Sequence, residues 1–185
     1  YLPSYKFEDR NENFFRNLSE KYNVKFLNLS PDLRSRSSIQ NWSLRPENGH
    51  LSRYGNKIVA EILLKEIDDE IPKYLKNKKP LTQINSIRGP LPRNHNNIRS
   101  DIKSMVYRVK TNSNGFRNID QIKDNPFIVA YGDSFTFSPY LPNHDTYTSL
   151  LSKKINKKYK FKTEDNIVIN SGLSGTTIFH QLEFL

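Results

Sequence analysis

The stretch Phe127-Ile128-Val129-Ala130-Tyr131-Gly132-Asp133-Ser134-Phe135-Thr136 decides how this chain is read. A buried-strand pattern runs straight into a Gly-Asp-Ser turn, which presents a hydroxyl at the strand's carboxyl end. Ser134 is therefore the candidate nucleophile. A lone serine before a helix is more often a cap than a nucleophile, and its hydroxyl reacts poorly until a base takes its proton. The reading therefore turns on whether a histidine stands in a suitable setting.

Downstream of Ser134 the pattern predicts a helix over about 146–159 and a strand over 166–169. The loop Asn170-Ser171-Gly172-Leu173-Ser174-Gly175-Thr176-Thr177 follows, and then another helix start. Strands alternating with helices imply a parallel sheet with right-handed crossovers, and ligands gather at the carboxyl ends of such strands. Ser134 lies at one such end, and the loop from Ser171 to Gly175 at a second.

Upstream, Phe14, Phe15, Leu18 and Tyr22 fall at helical spacing, and residues 24–29 read as a short buried strand. An amphipathic helix is expected from Ser52 or Tyr54 to Ile71, stopped by Pro72. Residues 72–125 read as a linker, with Pro80, Gly89-Pro90 and Pro92 as turn signals. Within it only 105–109 looks strand-like, and Asn114-Gly115 is a plausible hairpin turn between 107–110 and the residues after Phe116.

Of the four histidines, His50 has the best setting. It sits in Glu47-Asn48-Gly49-His50-Leu51-Ser52-Arg53-Tyr54-Gly55-Asn56-Lys57, a loop that leads into the amphipathic helix. His95 falls in the linker, His144 in a polar loop and His180 on an expected helix. A carboxylate three residues before an imidazole, here Glu47, can orient the ring and stabilise the imidazolium; Asn48 can orient it instead. A loop histidine with no such context is ordinarily exposed and idle.

Taken together, the Gly-Asp-Ser block and the histidine block resemble the SGNH, or GDSL, hydrolase family. In that family the serine block opens the domain and an Asp-x-x-His block closes it; here the order is reversed and Glu47 stands for the aspartate. The resemblance implies an α/β fold with a flavodoxin-like parallel sheet and flanking helices, incomplete or permuted. Residues 1–71 look like the end of such a domain. Residues 112–185 look like the beginning of one, with the serine block within 126–185 and Asn114-Gly115-Phe116-Arg117-Asn118 as its lead-in. The family's Gly-x-Asn-Asp block, which supplies an oxyanion donor, has no counterpart; loss of one such donor costs about 100- to 1000-fold in turnover. A piece cut from tandem domains is the simplest origin, and a circular permutation that brings Ser134 and His50 together is the other.

By the same resemblance the chain acts on carboxylic esters through an acyl-enzyme, as an esterase, O-deacetylase or acyltransferase. Ser134 is then the nucleophile, His50 the base and Glu47 its orienter. The N–H groups of Ser134 and Gly175 hold the oxyanion, with Gly172 the weaker candidate for the glycine donor. Asp133 and Gly172 are further candidates to touch substrate, a small-molecule or saccharide ester, and the chemistry requires no cofactor. The competing reading is an inactive carbohydrate- or surface-binding module that keeps the fold.

Composition bounds these readings. The 185 residues suffice for one domain with a real core, and 35 % hydrophobic with 12 % aromatic residues is globular rather than disordered. The formal charge of +10 draws polyanions without specifying one. Lys153, Lys154, Lys157, Lys158, Lys160 and Lys162, interleaved with Tyr159 and Phe161, form an anion-binding surface or simply a solvated helix face; no nucleic-acid motif is present. The absence of cysteine removes disulfides and thiolate chemistry. No apolar run approaches the roughly 20 residues that span a bilayer, and the first ten residues carry no signal-peptide pattern. The chain does not begin with Met, as expected of a processed or truncated polypeptide, and both compartments stay open.

Overall fold

In the computed structural model, residues 5–36, 38–43, 49–77, 89–102, 105–118, 128–160 and 167–177 are described. They form a mixed α/β fold with one parallel and one antiparallel two-stranded sheet. The first segment holds α1 (Tyr5–Lys21), α2 (Ser30–Arg36), α3 (Ile39–Trp42), α4 (Arg53–Ile67) and α5 (Glu70–Asn77). The middle holds β1 (Asn96–Ile102) and β2 (Met105–Lys110). The last holds β3 (Ile128–Gly132), the short α6 (Ser134–Phe137), α7 (Tyr147–Tyr159) and β4 (Val168–Gly172).

β3 and β4 pair in parallel, from Ile128 opposite Val168 to Gly132 opposite Gly172, so both strands end on the same edge. The connection between them is α7, which starts where the Thr146 side chain accepts from Ser149 N–H. Its apolar face, Leu151 and Ile155, packs with Ile167 and Val168 on one side and with Ala60 and Ile71 on the other. The histidine-block helix α4 and the serine-block helix α7 therefore share one core. Burial of each Leu or Ile in it stabilises by about 2 kcal/mol, whereas a partly solvated ion pair such as Lys154 with Glu61 contributes about 0.5 kcal/mol. Apolar contact, not charge, holds the two segments together.

Several expected elements are placed differently. Residues 24–29 carry no strand ladder; Leu27 and Leu29 instead pack on Leu33, Ile58, Val59 and Ile62. A side-chain contact with helices satisfied the apolar pattern there without strand pairing. The helix expected to run to Ile71 ends at Ile67, and Pro72 is the third residue of α5. In a first turn the missing proline N–H has no helical partner to lose. α1 does form around Phe14, Phe15, Leu18 and Tyr22, yet all four are exposed.

The hairpin also moved. β2 pairs antiparallel with the upstream β1, and among the described residues after Phe116 none pairs with it; 119–127 lie outside the described residues. Asn114-Gly115 does make a turn, with Gly115 at φ +84°, but Asn114 O accepts from Gly89 N–H (2.7 Å) and Gly115 O from Leu91 N–H (3.0 Å). The turn's outward carbonyls are taken by a neighbouring loop, while across the turn Asn112 N–H donates to Phe116 O (3.0 Å).

Beyond that turn, residues 117–118 line the free edge of β4. Arg117 N–H donates to Asn170 O (3.0 Å), while the Asn118 side chain accepts from Asn170 N–H (3.0 Å) and donates to Val168 O (3.2 Å). One amide thus stands in for a strand residue.

At the far end of the α4–α7 contact, Asp68 accepts hydrogen bonds from Lys158 and from the Tyr159 hydroxyl (2.8 Å). These two donors, Lys158 first, hold its carboxyl below the ordinary carboxylate range. A depressed carboxylate pKa contributes stability that is present above the unfolded-state pKa and lost as pH falls through the folded-state value. Asp68→Asn should therefore flatten the fall in stability as pH drops below the ordinary carboxylate range, read as urea midpoints; identical slopes for both proteins would count against the clasp.

Candidate functional site

The site is built at the edge where β3 and β4 end. β3 stops at Gly132, the Asp133 side chain accepts from Phe135 N–H (2.9 Å), and Ser134 begins α6. Asp133 is thus an N-cap, which fixes the turn that presents Ser134. A Cβ on Gly132 would lie 2.1 Å from Thr136 Oγ1, so any larger residue at the strand end must displace the Thr136 side chain. Ser134 is half-buried, and among the described residues its hydroxyl has no hydrogen-bond partner.

His50 reaches this place from the first segment. Its ring stacks on Phe135, with centroids 5.3 Å apart and planes at 21°. The edge of Tyr140 meets it at 5.8 Å and 85°, and Tyr140 in turn meets Tyr107 at 5.8 Å. The loop holding His50 is pinned by Ser43, whose hydroxyl donates to His50 O (3.2 Å) and which bridges to Leu51. The imidazole therefore lies on the residue immediately after Ser134. Glu47 and Asn48 fall outside the described residues.

Asn56 carries the join between the two blocks. It is fully buried one turn into α4. Its Oδ1 accepts from Ser138 Oγ–H (2.9 Å) and Tyr147 N–H (2.8 Å), and its Nδ2 donates to Leu51 O and Ser52 O. A single amide ties the histidine loop, the end of α6 and the start of α7. Its position inside the histidine block was visible in the sequence, but no local pattern marks an asparagine as an inter-segment tie.

Asn170 does the same for β4. Its Nδ2 donates to Thr136 O (2.8 Å) and Thr148 Oγ1 (3.1 Å), and its Oδ1 accepts from Gly172 N–H (3.0 Å). That last bond occupies the Gly172 N–H. A Cβ on Gly172 would also lie 2.2 Å from Phe137 N, so this glycine serves close packing of α6 on the strand. Gly175 is different: it is exposed, at φ +79°, with open space where a Cβ would be. Its loop leaves the same edge as Ser134, since Leu173 N–H donates to Gly132 O (2.9 Å). Ser171 Oγ, in register with Tyr131, is buried without a hydrogen-bond partner among the described residues.

The remaining titratable groups define the surroundings. Burial, more than any other influence, pushes the Tyr147 phenol up, and its hydroxyl shares a hydrogen bond with Thr136 Oγ1 (3.1 Å), so it stays neutral at physiological pH. His144 is exposed and 3.7 Å from Asp145, which pairs with Arg53 at 2.7 Å. His95 is exposed beside β1, and His180 lies outside the described residues. In the basic helix Lys154 pairs with Glu61 and Lys158 with Asp68, which removes two lysines from any anion-binding face. Lys162 and Phe161 lie outside the described residues.

Among the described residues no helix is long and apolar enough to cross a membrane, and no group of three His, Asp or Glu side chains converges on a metal position. Neither a protein-family model, nor a curated protein, nor a solved structure matches this chain.

The two glycines make opposite predictions. Gly172→Ala must move backbone atoms of α6 and should lower stability by about 3 kcal/mol. Gly175→Ala meets only left-handed backbone strain, about 1 kcal/mol. Urea unfolding of both variants checks this; equal losses would mean that α6 does not rest on β4.

Proposed function

We propose that this chain is a serine ester hydrolase of the SGNH type, with Ser134 and His50 acting in one site. The observation that carries this reading is the stacking of the His50 ring on Phe135, the residue next to Ser134, by a loop from the opposite end of the chain. The shared core of α4 and α7 supports the two blocks working as one unit. The flavodoxin-like arrangement of the complete sheet belongs to the same proposal, supported by the parallel pair β3–β4 with α7 between them.

In the reaction, Ser134 Oγ attacks the carbonyl carbon of a carboxylic ester while His50 takes its proton. The N–H groups of Ser134 and Gly175 receive the developing oxyanion, and the tetrahedral species collapses with the C–O bond to the alcohol breaking. His50 returns the proton to the departing alkoxide. Water then attacks the acyl-enzyme, gives a proton to His50, and the carboxylic acid leaves as Ser134 recovers its hydrogen. A sugar hydroxyl in place of water makes the same sequence an acyl transfer. Glu47 is the proposed orienter of His50.

A second reading, a binding module of SGNH type without turnover, is favoured by one observation: the Ser134 hydroxyl makes no hydrogen bond to the imidazole among the described residues. Catalytic hydrogen bonds commonly tighten only once substrate is bound, which is why the esterase reading is preferred.

A fluorophosphonate probe should label Ser134 in the intact chain and leave Ser134→Ala unlabelled. Turnover of a short-chain aryl ester should fall by about 1000-fold or more in His50→Ala. Labelling that persists in Ser134→Ala overturns the assignment, and an unlabelled parent chain selects the binding module.

A further inference from the structure

Arg117 is fully buried, and its contacts are unusual for a guanidinium. Nη1 donates to Phe137 O and to Ser138 O (2.7 Å), Nη2 donates to Leu141 O, and Nε donates to Asn143 Oδ1 (3.3 Å). Its plane also lies over the Phe137 ring, 4.6 Å from the centroid. One side chain thus collects the carbonyls of the segment that follows α6. Asn143 is itself fixed, since its Nδ2 donates to Lys110 O (2.7 Å) and its Oδ1 accepts from Lys110 N–H (3.2 Å) at the end of β2.

The segment so gathered is strained. Ser138 has φ +59° and Tyr140 φ +70°, the left-handed region that L residues enter only when their surroundings impose it. From these two backbone positions the Tyr140 ring meets His50 and the Ser138 hydroxyl reaches Asn56. Taking a cation wholly out of water is also costly, and an apolar residue would fill the volume more cheaply. What the guanidinium supplies, and an apolar filler cannot, is a rigid set of donors in one plane that fixes several carbonyls at once.

We infer that Arg117 is a positioning residue for His50: it locks the turn 138–141 so that the Tyr140 ring stands perpendicular to the imidazole and confines it on Phe135. The chain of contact runs from Arg117 through the carbonyls of Phe137, Ser138 and Leu141 to Tyr140, and from Tyr140 to His50. Arg117 touches neither Ser134 nor the substrate in this scheme. These contacts bear on the ring's placement whatever the reaction; the effect on turnover rests on the esterase reading.

The test compares Arg117→Lys and Tyr140→Leu with the parent chain, following the His50 ring C–H signals by NMR and assigning them through His50→Gln. In the parent the Phe135 face shifts these signals upfield of those of exposed His144. In Arg117→Lys, a single ammonium cannot span the carbonyls, and in a chain that remains folded by circular dichroism the His50 signals should move toward the exposed position. Ester turnover should fall about 100-fold in kcat, with KM changed by less than about threefold, the pattern of a misplaced base. Tyr140→Leu, which keeps the guanidinium, should move the same signals and so carries the test if Arg117→Lys does not fold. Unmoved His50 signals in either folded variant overturn the inference. Moved signals in a chain whose parent shows no ester turnover would support the positioning role and remove the esterase reading.

Discussion

A helix of four residues cannot satisfy its own main chain, and burying such a helix obliges the rest of the molecule to supply hydrogen-bond donors to its carbonyls. α6 is that helix. Thr136 O receives Asn170 Nδ2–H, Phe137 O and Ser138 O receive Arg117, and the Ser138 side chain is held by Asn56. These three polar side chains come from β4, from the edge segment before β3 and from α4. All three are buried, so loss of any one leaves a polar group stranded, at about 1–3 kcal/mol each. The candidate nucleophile stands at the start of the element on which they converge.

That convergence explains how two sequence blocks far apart in the chain come to lie against each other. A loop histidine is placed by what its loop is tied to, not by where it falls along the chain. Ser43 ties the loop to the end of α3 and Asn56 ties it to α4, the α4–α7 core holds α4 to the parallel pair, and Phe135, His50, Tyr140 and Tyr107 form one row of ring contacts. Apolar packing brings the blocks together. Buried amides then fix how the elements are oriented, because a hydrogen bond depends on direction as well as distance and the hydrophobic effect does not.

How much was legible depends on whether the signal was local. The strand that becomes β3, the turn at Gly132-Asp133-Ser134, the helix α7 and the strand β4 each carry their own periodicity and caps, and each was read within a few residues. The segment 24–29 was read as a strand because an apolar run looks alike whether it meets a strand or a helix; only the neighbours Ile58, Val59 and Ile62 decide. Asn114-Gly115 carried a true turn signal, but a turn does not say which strands it joins. The same holds for Pro72, which marks a helix boundary without saying whether a helix ends or begins there.

The sequence by itself determined the elements whose conformation follows from neighbours a few residues away: a hydroxyl at a strand end, a glycine-rich loop after the second strand, a histidine ahead of an amphipathic helix. Tertiary structure alone decided that Gly172 serves packing while Gly175 stays open, that Arg117 and Asn56 are buried at all, and that His50 rests on Phe135. The physical reason is that a buried polar group is defined by partners far along the chain. Arg117 reads as one more surface charge until the carbonyls that surround it are known.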